Sequence, residues 1–323
     1  MPGNTIKLSD IFMARRRIDS FVRHTPLIES HRLSEQSDAQ VMLKAECLQA
    51  TGSFKLRGAT NRILSLSDEE RARGIIAVSS GNHGRAVSYI AGRLGIEAAI
   101  CVSESVPQNK LDAIRTNGAR LVVQGRTYDE AEEVSLRMQR EKGLVRIDPF
   151  DDPYVIAGQG TAGLEILEDL PDVKTVLVPM SGGGLISGIA VAIKSADPSI
   201  RLIGVSMERG AAMAQSLRAG RIVEITEEPT LADGLAGGIP LGNRYTFDLC
   251  QRYVDDAILV SEEEIAAAMR FALEEHHLVV EGAGAVVIAA LLGHKIVGLT
   301  GPVVAVLSGG NVDLQVLLGV IKS

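Results

Sequence analysis

Short apolar runs alternate along the chain with longer segments whose apolar residues follow helical spacing. The runs are rich in Val, Ile and Leu, as in strands buried on both faces of a sheet, and they cover residues 75–78, 98–102, 121–124, 176–180, 202–206 and 303–307. Segments long enough for helices lie at residues 86–94, 108–116, 129–140, 185–194 and 262–275. Strands that alternate with helices indicate parallel sheets with helical crossovers, so the pattern predicts an α/β fold.

Clusters of glycine and serine follow three of these predicted strands, where each strand passes to a helix. They are Ser79-Ser80-Gly81-Asn82, Ser181-Gly182-Gly183-Gly184 and Ser308-Gly309-Gly310-Asn311. Ligands of open α/β sheets bind at the carboxyl ends of strands, so the three turns are candidate walls of one site. A further segment, residues 148–153, holds two prolines and three acids, which predicts an exposed connector from a smaller domain into a larger one.

Length, composition and charge restrict the class of protein. The 323 residues are 46% hydrophobic and 23% charged, which is typical of a globular chain with a large core. At roughly 100–200 residues per domain, the length favours two domains. A formal net charge of −7, without a basic stretch interleaved with aromatics, argues against nucleic-acid binding.

The cysteines and the apolar segments favour a cytoplasmic location. Cys47, Cys101 and Cys250 lack CxxC or zinc-type spacing, which favours reduced, mostly buried thiols. Residues 1–17 have no apolar core and do not resemble a secretion signal. The most apolar runs, such as residues 285–292, are about half the ~20 residues that a membrane span needs.

Lys55 is a candidate nucleophile because of its neighbours in the stretch Ser53-Phe54-Lys55-Leu56-Arg57. Burial between an aromatic and an aliphatic side chain lowers a lysine pKa from about 10.4 toward neutrality. A neutral amine is what Schiff-base chemistry requires. The alternative interpretation is an ordinary exposed lysine at the start of a helix.

The triple-glycine turn at residues 181–185 is a candidate phosphate site. Successive glycines let backbone N–H groups approach an anion, and the following helix adds its positive N-terminal end. No Gly-Lys-Ser/Thr follows, so the turn is not a nucleotide P-loop. Gly282-Ala283-Gly284 does not complete a dinucleotide fingerprint, since Val287 stands at the third small position, and a packed helix start explains it better.

The turn at residues 79–84 has the composition of an anion site suited to a substrate carboxylate. It brings two hydroxyls, an amide and free N–H groups to a helix N-terminus. Capping alone explains one serine, but not the whole set. His83 is interpreted as structural or supporting, because the other five histidines give no metal-ligand spacing with it.

Five motifs in order give the chain its resemblance to a known family: residues 52–59, 79–83, 157–161, 181–185 and 307–311. Over nearly its whole length the chain resembles the fold type II pyridoxal-phosphate enzymes of the serine/threonine dehydratase (ammonia-lyase) and serine racemase group. The resemblance implies a tryptophan synthase β-like fold of two three-layer αβα domains with mostly parallel sheets. It assigns residues 1–54 and 149–323 to a large cofactor-binding domain and residues 55–148 to a small substrate-gating domain.

The resemblance also implies roles for individual residues. Lys55 holds pyridoxal 5′-phosphate as a Schiff base, Asn82 hydrogen-bonds its phenolic oxygen, and Ser308 faces its pyridine nitrogen. The other implied cofactor contacts are Phe54 and Glu281, with the backbone N–H groups of Gly182, Gly183, Gly184 and Leu185 at the phosphate. The implied substrate contacts are Ser79, Ser80, Asn82 and His83, and no metal ligand is assigned.

The implied reaction is α,β-elimination from a β-hydroxy amino acid of the threonine or serine type, giving a 2-oxo acid and ammonia. The Lys55 amine removes the α-proton, and the neutral Ser308 hydroxyl at the pyridine nitrogen favours elimination over transamination. Ser80 occupies the position of the opposite-face acid or base of the racemases, so it is a second catalytic candidate. The expected assembly is a homodimer acting on a small amino acid.

Alternatives within the family are a serine or 3-hydroxyaspartate racemase/dehydratase, a hydroxyectoine-utilisation dehydratase and a β-replacement synthase. The stretch at residues 206–210 differs from the usual threonine enzymes and puts a divalent-cation site in doubt, because Glu208 is displaced by two positions. Family members commonly have Glu-Pro where this chain has Glu281-Gly282. Residues 236–238 are small enough to line the substrate pocket, and no regulatory domain is expected after Ser323. The alternative from outside the enzymes is a non-catalytic protein of the same fold that binds a phosphate or an effector.

Overall fold

The computed structural model describes residues 6–322. The helices are α1 (Leu8–Ile18), α2 (His31–Ser37), α3 (Lys55–Leu64), α4 (Asp68–Arg73), α5 (Asn82–Leu94), α6 (Gln108–Arg115), α7 (Tyr128–Lys142), α8 (Pro153–Asp169), α9 (Gly184–Ala196), α10 (Ala212–Ala219), α11 (Thr246–Tyr253), α12 (Glu262–His276), α13 (Gly282–Leu292) and α14 (Leu314–Lys322). The strands are β1 (Leu27–Glu29), β2 (Val41–Lys44), β3 (Ile75–Val78), β4 (Ala98–Val102), β5 (Arg120–Val123), β6 (Val145–Arg146), β7 (Thr175–Pro179), β8 (Arg201–Met207), β9 (Asp256–Val260) and β10 (Val303–Val306). Residues 1–5 and 323, on which the expectations for the N-terminal segment and the chain end partly rest, lie outside the described residues.

The strands form two mostly parallel sheets. The larger sheet has six strands in the order β1-β2-β10-β7-β8-β9, and the smaller has four in the order β5-β4-β3-β6. Every pairing is parallel except that of β1 with β2. The α/β fold with mostly parallel sheets is therefore confirmed.

The six apolar runs all coincide with strands, with ends that differ by at most a residue or so. The helical pattern missed α8, whose residues are buried from Val155 to Ile166. A helix buried on every side lacks the alternation of polar and apolar residues by which an amphipathic helix is recognised. The helix predicted to begin at residue 86 starts earlier, at Asn82, so the polar side chains of that turn belong to its first turn.

The two sheets occupy different stretches of the chain. The strands of the smaller sheet and helices α3 to α7 all fall within residues 55–148, and the strands of the larger sheet all fall outside it. The assignment of two domains with boundaries after residues 54 and 148 stays a prediction.

Helix α3 is held in place by close packing and by buried charges. Gly158 of α8 lies so near α3 that an added Cβ would come within 2.6 Å of the Arg57 carbonyl oxygen. The Arg57 guanidinium is fully buried and makes paired contacts with two carboxylates, at 2.8 and 2.8 Å to Glu46 and at 2.6 and 2.7 Å to Glu165. Lys44 adds a second buried cation 2.7 Å from Glu165. These contacts fix the helix whose first residue is Lys55.

The connector at residues 148–153 is not exposed, so that prediction is wrong. Its six residues are half-buried, and its carboxylates are satisfied by backbone N–H groups. Asp148 accepts hydrogen bonds from the N–H groups of Phe150 and Asp151 at 3.0 and 2.9 Å. Asp152 caps α8 by accepting from Tyr154 and Val155. Because acids and prolines can be buried when their polar atoms are paired, composition alone misplaced the segment.

Candidate active site

Lys55 lies where the loop before α3 meets the turn after β10. The Phe54 N–H donates to the Ser308 carbonyl oxygen at 3.0 Å, and Ser53 forms an isolated bridge with Gly309. Ser308 is itself buried, with 3% of its surface exposed. The first and last motifs singled out in the sequence are thus joined through their backbones.

Lys55 is half-buried, and its amine makes a hydrogen bond to the backbone. Its Nζ donates to the Pro149 carbonyl oxygen at 2.8 Å and lies 5.2 Å from the centre of the Phe54 ring. Burial lowers the pKa of Lys55 to about 8, against the opposing effect of the Asp148 and Glu281 carboxylates. A pKa near 8 leaves about a tenth of the amine neutral at pH 7, as a nucleophile or base requires. The lowered pKa predicted from the sequence is present.

The triple-glycine turn follows β7 and leads into α9. Gly183 has a φ of +88°, which favours glycine, and Ser181 Oγ donates to the Leu235 carbonyl oxygen at 2.8 Å. An added Cβ at Gly182 would lie 2.7 Å from the Phe150 ring. The first N–H groups of a helix have no acceptor within that helix, so Gly184 and Leu185 present donors at this turn.

Phe150 links this turn to Lys55, and sequence reasoning missed it. The residue before it supplies the carbonyl that accepts the Lys55 amine, while its own ring packs against Gly182 and its backbone against Gly184. Asp151, the next residue, accepts three backbone N–H groups at the start of α11, at 2.7, 3.0 and 3.0 Å. The sequence signal at this segment is its run of acids and prolines, which by composition predicts solvent exposure.

The turn after β3 places its polar residues at the N-terminus of α5. Ser79 Oγ accepts the Gly81 N–H at 3.2 Å, and Ser80 is half-buried beside it. His83 is buried, and its Nε2 contacts the Ile147 carbonyl oxygen at 2.9 Å. Burial and the neighbouring Lys55 lower the pKa of His83 to about 4, so the imidazole is neutral at pH 7. This contact supports the structural interpretation of His83, since a neutral ring adds no positive charge for a carboxylate.

Asn82 and Glu281 are in direct contact. Asn82 Nδ2 donates to Glu281 Oε1 at 2.6 Å, and the second oxygen of Glu281 accepts the Asn311 N–H at 3.1 Å. Burial raises the pKa of Glu281 to about 7, although the hydrogen bond from Asn82 opposes this. Glu281 immediately precedes α13, which starts at Gly282, where an added Cβ would overlap the Leu231 carbonyl, so the packed helix start inferred there is confirmed.

These residues fit pyridoxal phosphate. The half-buried Lys55 amine is partly neutral, as reaction with an aldehyde requires, and it donates to Pro149. The next residue, Phe150, packs on the glycine turn, whose free N–H groups can bind a phosphate. An added Cβ at Gly182 or Gly184 would lie within 3 Å of Phe150, and Gly183 has a φ of +88°, so all three positions favour glycine. Lys55, Asn82, Ser308 and the turn at residues 182–185 are the residues that would hold the group.

Other features lie apart from this site. A cavity of about 420 Å³ is lined by residues of α3, α4, α7 and β6, including Arg62 and Arg146. Lys55 is not among the residues that line it. Glu208 lies 3.6 Å from Lys295, and residues 6–322 contain no group of three His, Cys, Asp or Glu side chains that could hold a metal. Within that range no helix combines the length and apolarity that crossing a membrane demands.

The fold and the site define an α/β enzyme whose lysine lies beside a phosphate-type turn, and comparison with known proteins gives the family. The model of the pyridoxal-phosphate dependent enzyme family matches residues 18–309, so the chain belongs to that family. An L-threonine ammonia-lyase of Thermotoga maritima is 48% identical over 312 residues, which cover 97% of this chain and 77% of that protein.

Two solved structures agree with this assignment. Maize serine racemase superimposes with a TM-score of 0.92 at 35% identity, over 98% of this chain and 97% of that one. The processed form of threonine deaminase isoform 2 from Solanum lycopersicum gives a TM-score of 0.91 at 38% identity, over 98% of this chain and 86% of that one. The fold type II assignment and the dependence on pyridoxal phosphate are thereby confirmed, and the protein is a lyase of this family.

Proposed function

We propose that the protein eliminates water and ammonia from a β-hydroxy amino acid of the threonine or serine type, giving a 2-oxo acid. The observation that carries the proposal is the half-buried Lys55 amine, with a pKa of about 8, held next to the glycine turn by the segment Pro149-Phe150. The resemblance to an L-threonine ammonia-lyase at 48% identity supports the choice of substrate class.

Lys55 is the proposed catalytic base and the point of covalent attachment. When bound, pyridoxal phosphate supplies an electron sink that makes the substrate α-proton acidic. The neutral Lys55 Nζ can accept a proton at that pKa, and the Pro149 carbonyl oxygen 2.8 Å away orients the amine through one of its N–H groups. The proposed contacts to the cofactor are those implied by the sequence: Phe54, Asn82, Gly182, Gly183, Gly184, Leu185, Glu281 and Ser308.

The proposed carboxylate site is the N-terminus of α5. Ser79, Ser80 and Asn82 are half-buried there, and helix N-termini stabilise anions through free N–H groups and the helix dipole. His83 is proposed to act indirectly. Its contact with the Ile147 carbonyl oxygen holds the residue that precedes segment 148–153, and this segment contacts Lys55.

Racemisation is a second candidate activity. The TM-score of 0.92 with maize serine racemase favours it, together with the half-buried Ser80, whose hydroxyl is proposed as the acid or base on the face opposite Lys55. Ser80→Ala separates the two activities: it should abolish racemisation while elimination continues.

A substrate panel tests the proposal directly. Release of 2-oxo acid is measured for L- and D-threonine, L- and D-serine and 3-hydroxyaspartate, and formation of cysteine is measured for O-acetylserine with sulfide. The proposal expects release from threonine or serine that disappears in Lys55→Ala. Exclusive activity with O-acetylserine and sulfide, or no activity with any compound, would refute it.

We also propose that the protein works as a cytoplasmic homodimer. Cys47, Cys101 and Cys250 are free and buried, which suits a reducing compartment. The dimer is the assembly implied by the family resemblance, and sedimentation of the purified protein tests it.

A further inference from the structure

A series of hydrogen bonds connects two of the motifs and ends at Glu281, whose carboxylate acts on the charge of the Lys55 amine. Arg85 Nη1 donates to Asn311 Oδ1 at 3.2 Å. Asn311 Nδ2 donates to the Thr51 carbonyl oxygen at 2.8 Å and to Asn82 Oδ1 at 2.7 Å. Asn82 Nδ2 in turn donates to Glu281 Oε1 at 2.6 Å. The series therefore connects a cation at one end to a carboxyl group at the other.

The two ends decide which way each amide points. A guanidinium group only donates, and above its pKa of about 7 the Glu281 carboxylate only accepts, so Asn311 must turn its oxygen to Arg85 and Asn82 must turn its nitrogen to Glu281. Both hydrogens of Asn311 Nδ2 are used. Asn82 Nδ2 has two hydrogens and one acceptor within residues 6–322, so one N–H donor is left over.

Close packing holds the hydrogen-bonded side chains of this series in place. Glu281 is only 5% exposed, and its other oxygen accepts the Asn311 N–H at 3.1 Å. An added Cβ at Gly52 would lie 2.6 Å from Asn311 Oδ1, and one at Gly309 would overlap the Glu281 carboxyl group. This packing holds both amide groups in place, but a half-turn of an amide exchanges its oxygen and nitrogen without needing more room, so the hydrogen-bond partners decide the orientation of Asn82.

We infer that Arg85 and Asn311 are positioning residues that fix Asn82 as a hydrogen-bond donor toward the cofactor. A phenolic oxygen needs a donor, and the left-over N–H of Asn82 is one; the reversed amide would present an acceptor instead. The inference rests on the proposed function, because it concerns how Asn82 meets pyridoxal phosphate. It adds two residues, Arg85 and Asn311, that the sequence did not single out for this role.

Binding of two aldehydes tests the inference without an activity assay. Dissociation constants are measured by equilibrium dialysis at pH 8, above the pKa of Glu281, for pyridoxal phosphate and for 3-deoxypyridoxal phosphate, which lacks the phenolic oxygen. The unaltered protein should prefer pyridoxal phosphate, and the loss of one hydrogen bond to a charged group should reduce that preference about tenfold to a hundredfold. Asn311→Asp, which has the same shape but no donor, and Arg85→Met should both show this reduction.

Two further variants separate positioning from general damage. Arg85→Lys keeps a donor-only group and should retain the preference, while Arg93→Met, on the exposed face of the same helix, should behave as the unaltered protein does. Circular dichroism checks that each variant is folded. An unchanged preference in folded Asn311→Asp and Arg85→Met overturns the inference alone. Failure of the unaltered protein to bind either aldehyde overturns the proposed function as well.

Discussion

Replacing Arg57 by Met should destabilise the fold strongly, because its guanidinium holds two buried carboxylates. All five of its N–H donors are engaged: by Glu46 and Glu165, by the Thr161 hydroxyl and by the Arg23 carbonyl. Removing one partner of a buried ion pair costs about 3–5 kcal/mol, since the other charge is left uncompensated. Here two carboxylates lose their partner and only Lys44 remains, so we expect at least about 3–5 kcal/mol, a large part of the 5–15 kcal/mol typical of a domain.

The assay is urea unfolding of Arg57→Met beside a matched control, Arg15→Met. Arg15 pairs with Glu168 at 3.0 Å, but the side chains are 27% and 50% exposed, and exposed pairs contribute about 0–1 kcal/mol. Burial raises the pKa of Glu165, but Arg57 and Lys44 outweigh it and hold the pKa below 4.5. The stability that this ion pair provides is present above pH 4.5 and lost as the pH falls through the lowered pKa, so the deficit of Arg57→Met should shrink in acid. Equal effects of the two substitutions at pH 7 would refute the reasoning.

Three further predictions follow from single contacts. Gly182→Ala should weaken pyridoxal phosphate binding at least tenfold in equilibrium dialysis, because the new Cβ would lie 2.7 Å from Phe150, whereas Gly242→Ala, with no atom nearby, should not. The pKa of Glu281 is raised from 4.5 to about 7, so the stability of the protein relative to Glu281→Gln should fall as the pH rises across that window in urea titrations; a flat difference contradicts this. Asp151→Ala should lower the unfolding free energy by about 1–2 kcal/mol, since three N–H groups lose their acceptor, and a loss below a few tenths would exclude that role.

The parallel strands and the glycine turns could be predicted from the sequence. Strands buried on both faces are continuously apolar, as in β7 and β10, and the turns that follow them carry residues of the proposed binding site. Lys55 was recognisable because its apolar neighbours predict a lowered pKa, which the structure shows at about 8. These features are local, so a single stretch of sequence contains them.

Contacts between distant residues could not be predicted in the same way. Arg57 and Glu165 are 108 positions apart, and nothing in either local sequence indicates that they pair. The segment 148–153 was misplaced for the same reason, since the N–H groups that satisfy Asp151 come from residues 244–246. Whether a charged side chain is exposed or buried depends on partners that only the fold brings near.

The most direct test of the account is to identify the lysine that binds the cofactor. The protein is incubated with pyridoxal phosphate, reduced with borohydride and digested, and the labelled peptide is identified by mass spectrometry. We expect the label on Lys55 and not on Lys44, which is buried in an ion pair with Glu165. A label on another lysine, or none at all, would contradict the central claim that Lys55 is the attachment point.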